Sequence, residues 1–563
     1  MALSRKKKFL FSGLALVLVL AVVFGTGALN RILEESLDRY VRQKIEVTGG
    51  EGEPAYAFSY EGIDIDIFAE RITFTNFRMT PREAHREAFF KGETHEKALK
   101  EAGVSKVTVR GVGLMNFLWD KQIRISEVRI DSVRLDLVVP EGHKEALEKE
   151  KKGGGFSLEG IRLPGITALT LERFTLGDFE LSRRNASSGD TLMHFTSRGG
   201  SLQGLGMKRT GDSEASFFEP DIGGLVLTLD PEHLALPQNL YRMGFKELTY
   251  TFASRDLQIR EMALSPREDH QAFREQNRYS YEIYDAHIKN LKLSAFDMSA
   301  FLNLGIVSIG HIAVDSLALK IFRDKTKPFN TGKRVLLPQE ALASLDFPLH
   351  IGSIAVKNSS MNYAEQTELG APPLLVDFSD LALEVRHLTT LPDSLKGPTP
   401  LEIDLAAKLD QAIPVEVHLE LPYHTPTFRV RGQTDRTSSF QSLNKTVLPA
   451  VGLQFTSGRL DGLQFAMTGT PWSLHGELTL LYHDLSVSLH KDGKDDRKTL
   501  SWAANTLLKD ANPNRHGHTV VGLVEAERIP YKGLGNYIWK GVQSGLVNSL
   551  NPVGKRRVVK GKR

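Results

Sequence analysis

The sequence predicts a mainly β fold: an N-terminal transmembrane helix, an elongated, curled antiparallel repeat β-sheet forming a groove, few short helices, and an amphipathic C-terminal helix. Three observations predict it. Apolar residues alternate at a period of two through most of the chain, the mark of half-buried strands. The alternation slips by two residues and resumes, repeatedly, as in "ISEVRIDSVRLDL" from Ile125 to Leu137. One long uncharged run stands directly behind a lysine cluster near the N-terminus.

Residues 1–8 read as a basic cytoplasmic N-terminus, carrying "SRKKK" from Ser4 to Lys8. Residues 9–29, "FLFSGLALVLVLAVVFGTGAL", read as the transmembrane anchor. At ~1.5 Å per residue this run covers roughly 30 Å, the hydrocarbon thickness of a bilayer. Lysines before it favour a cytoplasmic N-terminus and place everything after Leu29 on the far side. A cleaved signal peptide is the alternative, with small residues at Gly25, Gly27 and Ala28. Residues 30–52 form a juxtamembrane helix and linker, because Ile32, Leu33, Leu37, Tyr40, Val41 and Ile45 recur at helical spacing.

Residues 53–436 are the repeated body. The unit is apolar–x–apolar, two linker residues, apolar–x–apolar. It fits Ile72, Phe74, Phe77 and Met79, then Val107, Val109, Val112 and Leu114. Further copies are Val128, Ile130, Val133 and Leu135, and Leu169, Leu171, Phe174 and Leu176. Two more are Leu291, Leu293, Phe296 and Met298, and Ile312, Val314, Leu317 and Leu319. A degenerate copy has Ile354, Val356 and Met361, with Ser359 at the third apolar position. "IGHIAVDS" from Ile309 and "IGSIAVKN" from Ile351 agree beyond the pattern. Recurrence on this scale marks a repeat architecture, and its irregular spacing a loosely repeated antiparallel sheet. Each break is either a tight turn or a bulge. The helical interruptions are "PREAHREAFFKGETHEKALKEAG" from Pro81 and a short helix in "LPQEALASL" from Leu337, while "PREDHQAFREQNRYS" from Pro266 is a polar insertion.

A strand apolar on one face must have that face covered. Either protein covers it, in a sandwich or barrel, or a groove stays open for lipid chains. On the groove reading the candidate contacts are Ile72, Phe74, Val107, Val109, Val128, Ile130, Leu169, Leu171, Leu291, Leu293, Ile312, Val314, Ile354 and Val356.

Residues 437–530 contain "SFQSLNKTVLPAVGLQFTSGRLDGLQFAMTGTPWSLHGELTLLYHDLSVSL", from Ser439 to Leu489. The order is a short helix with Leu443, Asn444 and Pro449, a strand ending at Ser457 and Gly458, a hairpin, a break at Gly476, and a strand closing on Tyr482, Asp484, Leu485 and Val487. This stretch resembles the C-terminal region of AsmA-like proteins. The resemblance implies a Gram-negative envelope protein anchored once in the inner membrane, with its body in the periplasm. It further implies kinship with TamB- and YhdP-like proteins, whose β-groove is thought to carry phospholipid towards the outer membrane.

Residues 531–563 are an amphipathic helix and basic tail. Tyr537, Ile538, Trp539, Val542 and Leu546, followed by Lys555, Arg556 and Arg557, suit a helix lying on anionic lipid. The alternative is a helix capping the sheet, with a solvated tail.

Composition narrows the function classes. A chain of 563 residues is too long for one compact core. A hydrophobic fraction of 41% with 25% charge argues for a folded chain, and a net charge of +3 implies no bulk attraction to nucleic acid. With Cys at 0, disulfides and thiolate chemistry are excluded. No phosphate-cradling loop, zincin motif or nucleophile elbow is present. His516 and His518 lack a third ligand at a recognised spacing, and His483 and Asp484 face opposite ways on a strand. The expectation is a non-enzyme with no cofactor, whose partners are phospholipid or another envelope lipid, the inner membrane, and an outer-membrane or envelope protein. The alternative function is a scaffold aiding outer-membrane protein assembly.

Overall fold

A computed structural model describes residues 55–66, 70–93, 98–112, 122–139, 161–162, 168–204, 206–210, 217–221, 224–235, 240–298, 300–301, 305–345, 347–434, 438–445, 453–489, 511–551 and 553–560. The predicted anchor and juxtamembrane helix lie outside these residues. Among the described residues no helix is long and apolar enough to cross a membrane. The chain divides into two compact units, Met1–Met262 with Lys292–Ser308, and Ala263–Leu291 with Ile309–Arg563.

The fold is mainly β, as the alternation predicts. The first strands are β1 (Tyr56–Ser59), β2 (Gly62–Asp66), β3 (Arg71–Pro81), β4 (Leu99–Val112) and β5 (Gln122–Val139). Next come β6 (Ile161–Arg162), β7 (Ala168–Asn185), β8 (Thr191–Gln203), β9 (Gly206–Thr210) and β10 (Phe217–Asp221). They are followed by β11 (Val226–Ala235), β12 (Tyr241–Thr251) and β13 (Asp256–Pro266). β1 and β2 both pair with β3, and β3, β4 and β5 continue antiparallel. β5 and β7 then run parallel, and β7, β8, β11 and β12 resume the antiparallel order.

Later strands are β14 (Tyr281–Ser294), β15 (Val307–Asp324), β16 (Leu349–Gln366), β17 (Leu374–Thr389), β18 (Leu401–Leu409) and β19 (Ile413–Leu421). The last are β20 (Phe428–Thr434), β21 (Ser438–Ser439), β22 (Leu453–Gly469), β23 (Ser473–Leu489), β24 (His518–Glu527) and β25 (Arg556–Lys560). From β16 to β20 each strand pairs antiparallel with the next, then β20 with β22, and β22 to β25 in order. β15 and β16 are a second parallel pair. His311 Nδ1 meets Ser353 Oγ at 2.7 Å, the Leu317 amide reaches Ser359 Oγ at 3.0 Å, and the Lys325 amide reaches the Gln366 carbonyl at 2.8 Å. Contacts that climb both strands together require parallel chains, so the uniformly antiparallel expectation is corrected at two places. The near-identical stretches from Ile309 and Ile351 therefore lie side by side, with Gly310 against Gly352.

The repeat's two-residue slip is an in-strand break. β5 runs unbroken through "RIDSVRL", so no hairpin turn interrupts it. In five of the seven copies the second linker residue is left-handed: Asn76 (φ 51°), Gly111 (φ 63°), Ala295 (φ 54°), Ser316 (φ 59°) and Asn358 (φ 51°). One such residue re-aims the strand and lets the next apolar residue return to the same face. Asp380 and Asp484 do the same in β17 and β23. The exceptions, in β5 and β7, belong to the parallel pair. Further slips, at Ser105–Lys106 in β4 and Gly177–Asp178 in β7, stand opposite Asp131–Ser132. Ser132 Oγ donates to Ser105 Oγ at 2.8 Å, and a Cβ at Gly177 would lie 2.0 Å from the Asp131 carbonyl oxygen. The first unit thus carries a crease that runs from strand to strand.

The helices are short. α1 (Glu83–Phe90) ends at Gly92 (φ 73°), well before the predicted end. Leu99 to Gly103 are strand, because pairing with β5 buries Leu99 and Ala102. α2 (His270–Gln276) is capped by Asp269, whose carboxylate accepts from the Ala272 amide at 2.8 Å, so the predicted polar insertion is partly helical. α3 (Pro338–Ala343) has proline in its first turn, and Glu340 accepts from the Leu337 amide at 2.9 Å. α4 is Pro392–Lys396, and α5 is Leu534–Leu550. The expected short helix before β22 opens as a 3-10 turn at Phe440–Leu443 and passes into α-helix at Asn444 and Lys445, with Pro449 outside the described residues. Gly458 lies within β22 and closes no hairpin. The basic tail, read either as lying on anionic lipid or as solvated, forms β25 against β24 at Arg556–Lys560.

Candidate functional site

The apolar face of the second unit is built row by row from the alternation. Ile354, Val385, Ile403, Leu419, Val430 and Met467 follow one another across β16, β17, β18, β19, β20 and β22. The next row holds Val356, Leu383, Leu405, Val417, Gly432 and Phe465. Val314 and Leu317 of β15 pack with Val356 and Leu381. Ser359, the odd residue of the degenerate copy, is explained here. Its hydroxyl accepts from the Leu317 amide and donates to the Lys357 carbonyl at 2.7 Å, satisfying backbone groups that the break would leave unpaired.

Two regimes share this face. Over β20 to β24 it is dry: Phe428, Val430, Leu474 and Leu478 have no exposed surface. α5 closes it, setting the Tyr537 ring 5.8 Å from Phe428. Gly541 and Gly545 bring the helix backbone onto Leu474, Met467, Leu478 and Val524. Over β15 to β19 much of the face is only half-buried, at Ile312, Val314, Leu317, Ile354, Leu383, Ile403, Leu405, Val415 and Val417.

The candidate groove residues divide accordingly. Ile72, Val109 and Val128 form one row of the first unit and Phe74, Val107 and Ile130 another, all at most 6% exposed. Leu169 and Leu171 pair with Ile123 and Ile125 in the parallel ladder, Leu171 half-buried and the Leu169 side chain outside the described residues. Leu291, Leu293, Ile312, Val314 and Ile354 are half-buried, and Val356 is buried. Of the candidate membrane-surface residues, Tyr537, Ile538, Val542 and Leu546 pack into the core beneath α5, so for them the capping alternative holds. Trp539 remains exposed. Lys555 pairs with Glu525, Arg557 donates to Glu477 at 2.6 Å, and Arg556 is half-buried in β25.

The opposite face is charged. A trough of about 770 Å³ runs over it, floored by Ala355, Ala382 and Ala406 and flanked by Glu384, Asp404, Glu416 and Arg431. Arg386 meets Glu384 at 3.0 Å, Glu402 at 2.9 Å and Asp404 at 2.5 Å. His418 lies between Asp404 at 2.6 Å and Glu420 at 3.3 Å, and the hydrogen bond to Asp404, above all, holds its imidazolium pKa above the ordinary value. Among the described residues no three His, Asp or Glu side chains gather as a metal site. His483 reaches Asp461 at 2.6 Å, while Asp64 and Asp66 both lie against Arg71. These are cross-strand pairs that hold a sheet surface together.

Period-two reasoning missed the left-handed positions, although Asn, Asp, Ser and Gly at the second linker site are their signal. It also missed Asn512, whose side chain accepts from the Val520 amide at 2.8 Å and donates to the Leu480 and Val520 carbonyls at 2.6 and 3.0 Å. No family model and no curated protein matches the chain.

Proposed function

We propose that this chain binds lipid acyl chains along the apolar face of β15 to β19 and shields them from water. The observation that supports the reading is a contrast within one face. Beneath α5 most of it is buried, while upstream Ile312, Val314, Leu317, Leu405 and Val417 stay half-buried beside a core that still holds Val385, Leu401, Ile413, Leu419 and Leu421. Apolar surface left to water costs ~25 cal/mol per Å², and each acyl CH₂ moved from water onto such a face gains ~0.8 kcal/mol. The apolar run of residues 9–29 and the AsmA-like stretch from Ser439 favour a single-pass inner-membrane protein with a periplasmic body, serving phospholipid movement in a Gram-negative envelope.

The full chain, extracted in mild detergent, should carry phospholipid detectable by mass spectrometry. Val314→Asp with Leu317→Asp should remove most of that lipid and leave the circular dichroism spectrum unchanged. Leu478→Asp, beneath α5, should unfold the unit. A lipid-free wild-type chain, or loss of fold in the β15 variant, would overturn the proposal.

A further inference from the structure

The half-open face offers a place for acyl chains; the end of the second unit where α5 begins offers a different surface. Four segments meet there. The Arg528 amide donates to the Trp472 carbonyl at 2.9 Å, tying the end of β24 to the β22–β23 turn. Tyr537 Oη donates to the Thr470 carbonyl at 3.4 Å, holding the first turns of α5 to the same turn. The Val335 amide donates to the Pro530 carbonyl at 2.9 Å, which brings in the loop before α3.

What this end presents is two tryptophans among cations. Trp472 is 66% and Trp539 55% exposed, and Leu336 beside Arg334 is 38% exposed. Arg334 stands over the Trp472 ring at 5.8 Å, and Lys540 reaches the Glu527 carbonyl at 3.2 Å. Lys532 and Arg323 share the Phe329 ring, at 4.9 and 5.5 Å from its centre. Arg323 is paired with Glu282 and Arg334 with Glu340, at 3.0 and 2.8 Å. Among the described residues no carboxylate lies within ion-pair reach of Lys532. Burial first, and then the like charges of Lys325, Arg323 and Lys540, lower its pKa against the opposing pull of Glu365.

We propose that this end docks on an anionic bilayer, with Trp472 and Trp539 entering the headgroup zone and Lys532 and Lys540 meeting lipid phosphate. The proposal rests on the lipid-binding reading and gives the apolar face a membrane to load from or deliver to. A protein interface is the poorer match, because interface cores are depleted of lysine, whereas exposed tryptophans on a surface that also carries Lys532 and Lys540 suit the bilayer–water boundary. The surface is not the one the amphipathic stripe of α5 predicts. That stripe faces inward, and Trp539 alone of its aromatic residues points out.

The full chain, held in nanodiscs of phosphatidylcholine, would be mixed with vesicles of phosphatidylcholine alone or with added phosphatidylglycerol, and co-sedimentation measured. Capture should require phosphatidylglycerol and weaken with salt. At about fivefold per cation, Lys532→Glu with Lys540→Glu should reduce it by at least about 25-fold. Trp472→Ala with Trp539→Ala, both exposed and safe for the fold, should reduce it severalfold. Equal capture of the two vesicle types, or full capture by either folded double variant, would overturn the docking surface. Competition by inorganic phosphate would also overturn it, in favour of a free-anion site. If capture fails while phospholipid still co-purifies, the docking surface falls and the lipid-binding face stands.

Discussion

Asn358 adopts a φ of 51° in the middle of a strand, a conformation that costs most residues ~1–2 kcal/mol. Asparagine tolerates it, and its side chain donates to Asp315 at 2.8 Å across the parallel pair. Replacing Asn358 by Val forces a β-branched residue into the left-handed region and removes that bond. The full chain should lose about 2 kcal/mol, read as a lower urea midpoint. Asn358→Gly loses the same hydrogen bond but relieves the backbone, and should cost less than ~1 kcal/mol. Equal losses in the two variants would show that the break is held by the side-chain bond and not by its backbone. Residues of this kind are the least legible part of the sequence. Linker pairs as different as Asp315–Ser316 and Lys357–Asn358 share one geometry, while Asp131–Ser132, with the same two residue types as the first, lacks it. Strand direction does not separate them, since β15 and β16 are parallel too; what stands beside Asp131 is Gly177, whose missing Cβ lets the β7 backbone close on the Asp131 carbonyl.

At the scale of elements, strand identity was readable and strand direction was not. Alternation at a period of two is the same in parallel and antiparallel ladders when one face is buried, so nothing in the pattern of β5 or β15 announces a parallel neighbour. The near-identity of the stretches from Ile309 and Ile351 was the available signal, since in-register parallel strands place equivalent residues side by side. The helix was legible in extent but not in role. An amphipathic stripe reads alike whether it lies on lipid or on a sheet, and the deciding feature is the glycines on its inner side. A Cβ on Gly545 would sit 2.6 Å from Leu478 Cβ and 2.9 Å from Val524 Cγ2, contacts no rotamer change at Leu478 can relieve. Gly535, in the first turn, has nothing within 4 Å. Alanine normally stabilises a helix over glycine by up to ~1 kcal/mol, so Gly535→Ala should raise the thermal midpoint slightly. Gly545→Ala should lower it, because overpacking costs ~1–3 kcal/mol and outweighs the propensity gain. A rise in both variants would mean that α5 does not press on β23 and β24.

For the molecule as a whole, the alternation foretold a face that must be covered, but composition does not say by what. The structure divides the answer. Rows such as Ile72–Val109–Val128 are already sealed, as are Phe428, Leu474 and Leu478 beneath α5, while the rows from Ile312 to Val417 alternate buried residues such as Val385 and Leu419 with half-buried ones. Amide exchange should follow that division, because protection depends on how much buried apolar contact an opening must break. In a delipidated chain, β3 to β5 and β22 to β24 should exchange slowest, and β15 to β19 faster despite their complete ladders. Adding phospholipid above its solubility limit should slow exchange in β15 to β19 alone, since a ligand stabilises only the segments that open away from it. A concentration near 100 times the dissociation constant would slow those amides by about 100-fold and leave the α5-covered strands unchanged. Exchange that is uniform along the second unit, or slowed everywhere to the same degree, would place the lipid elsewhere and leave the half-open rows as an ordinary surface of a protein-covered sheet.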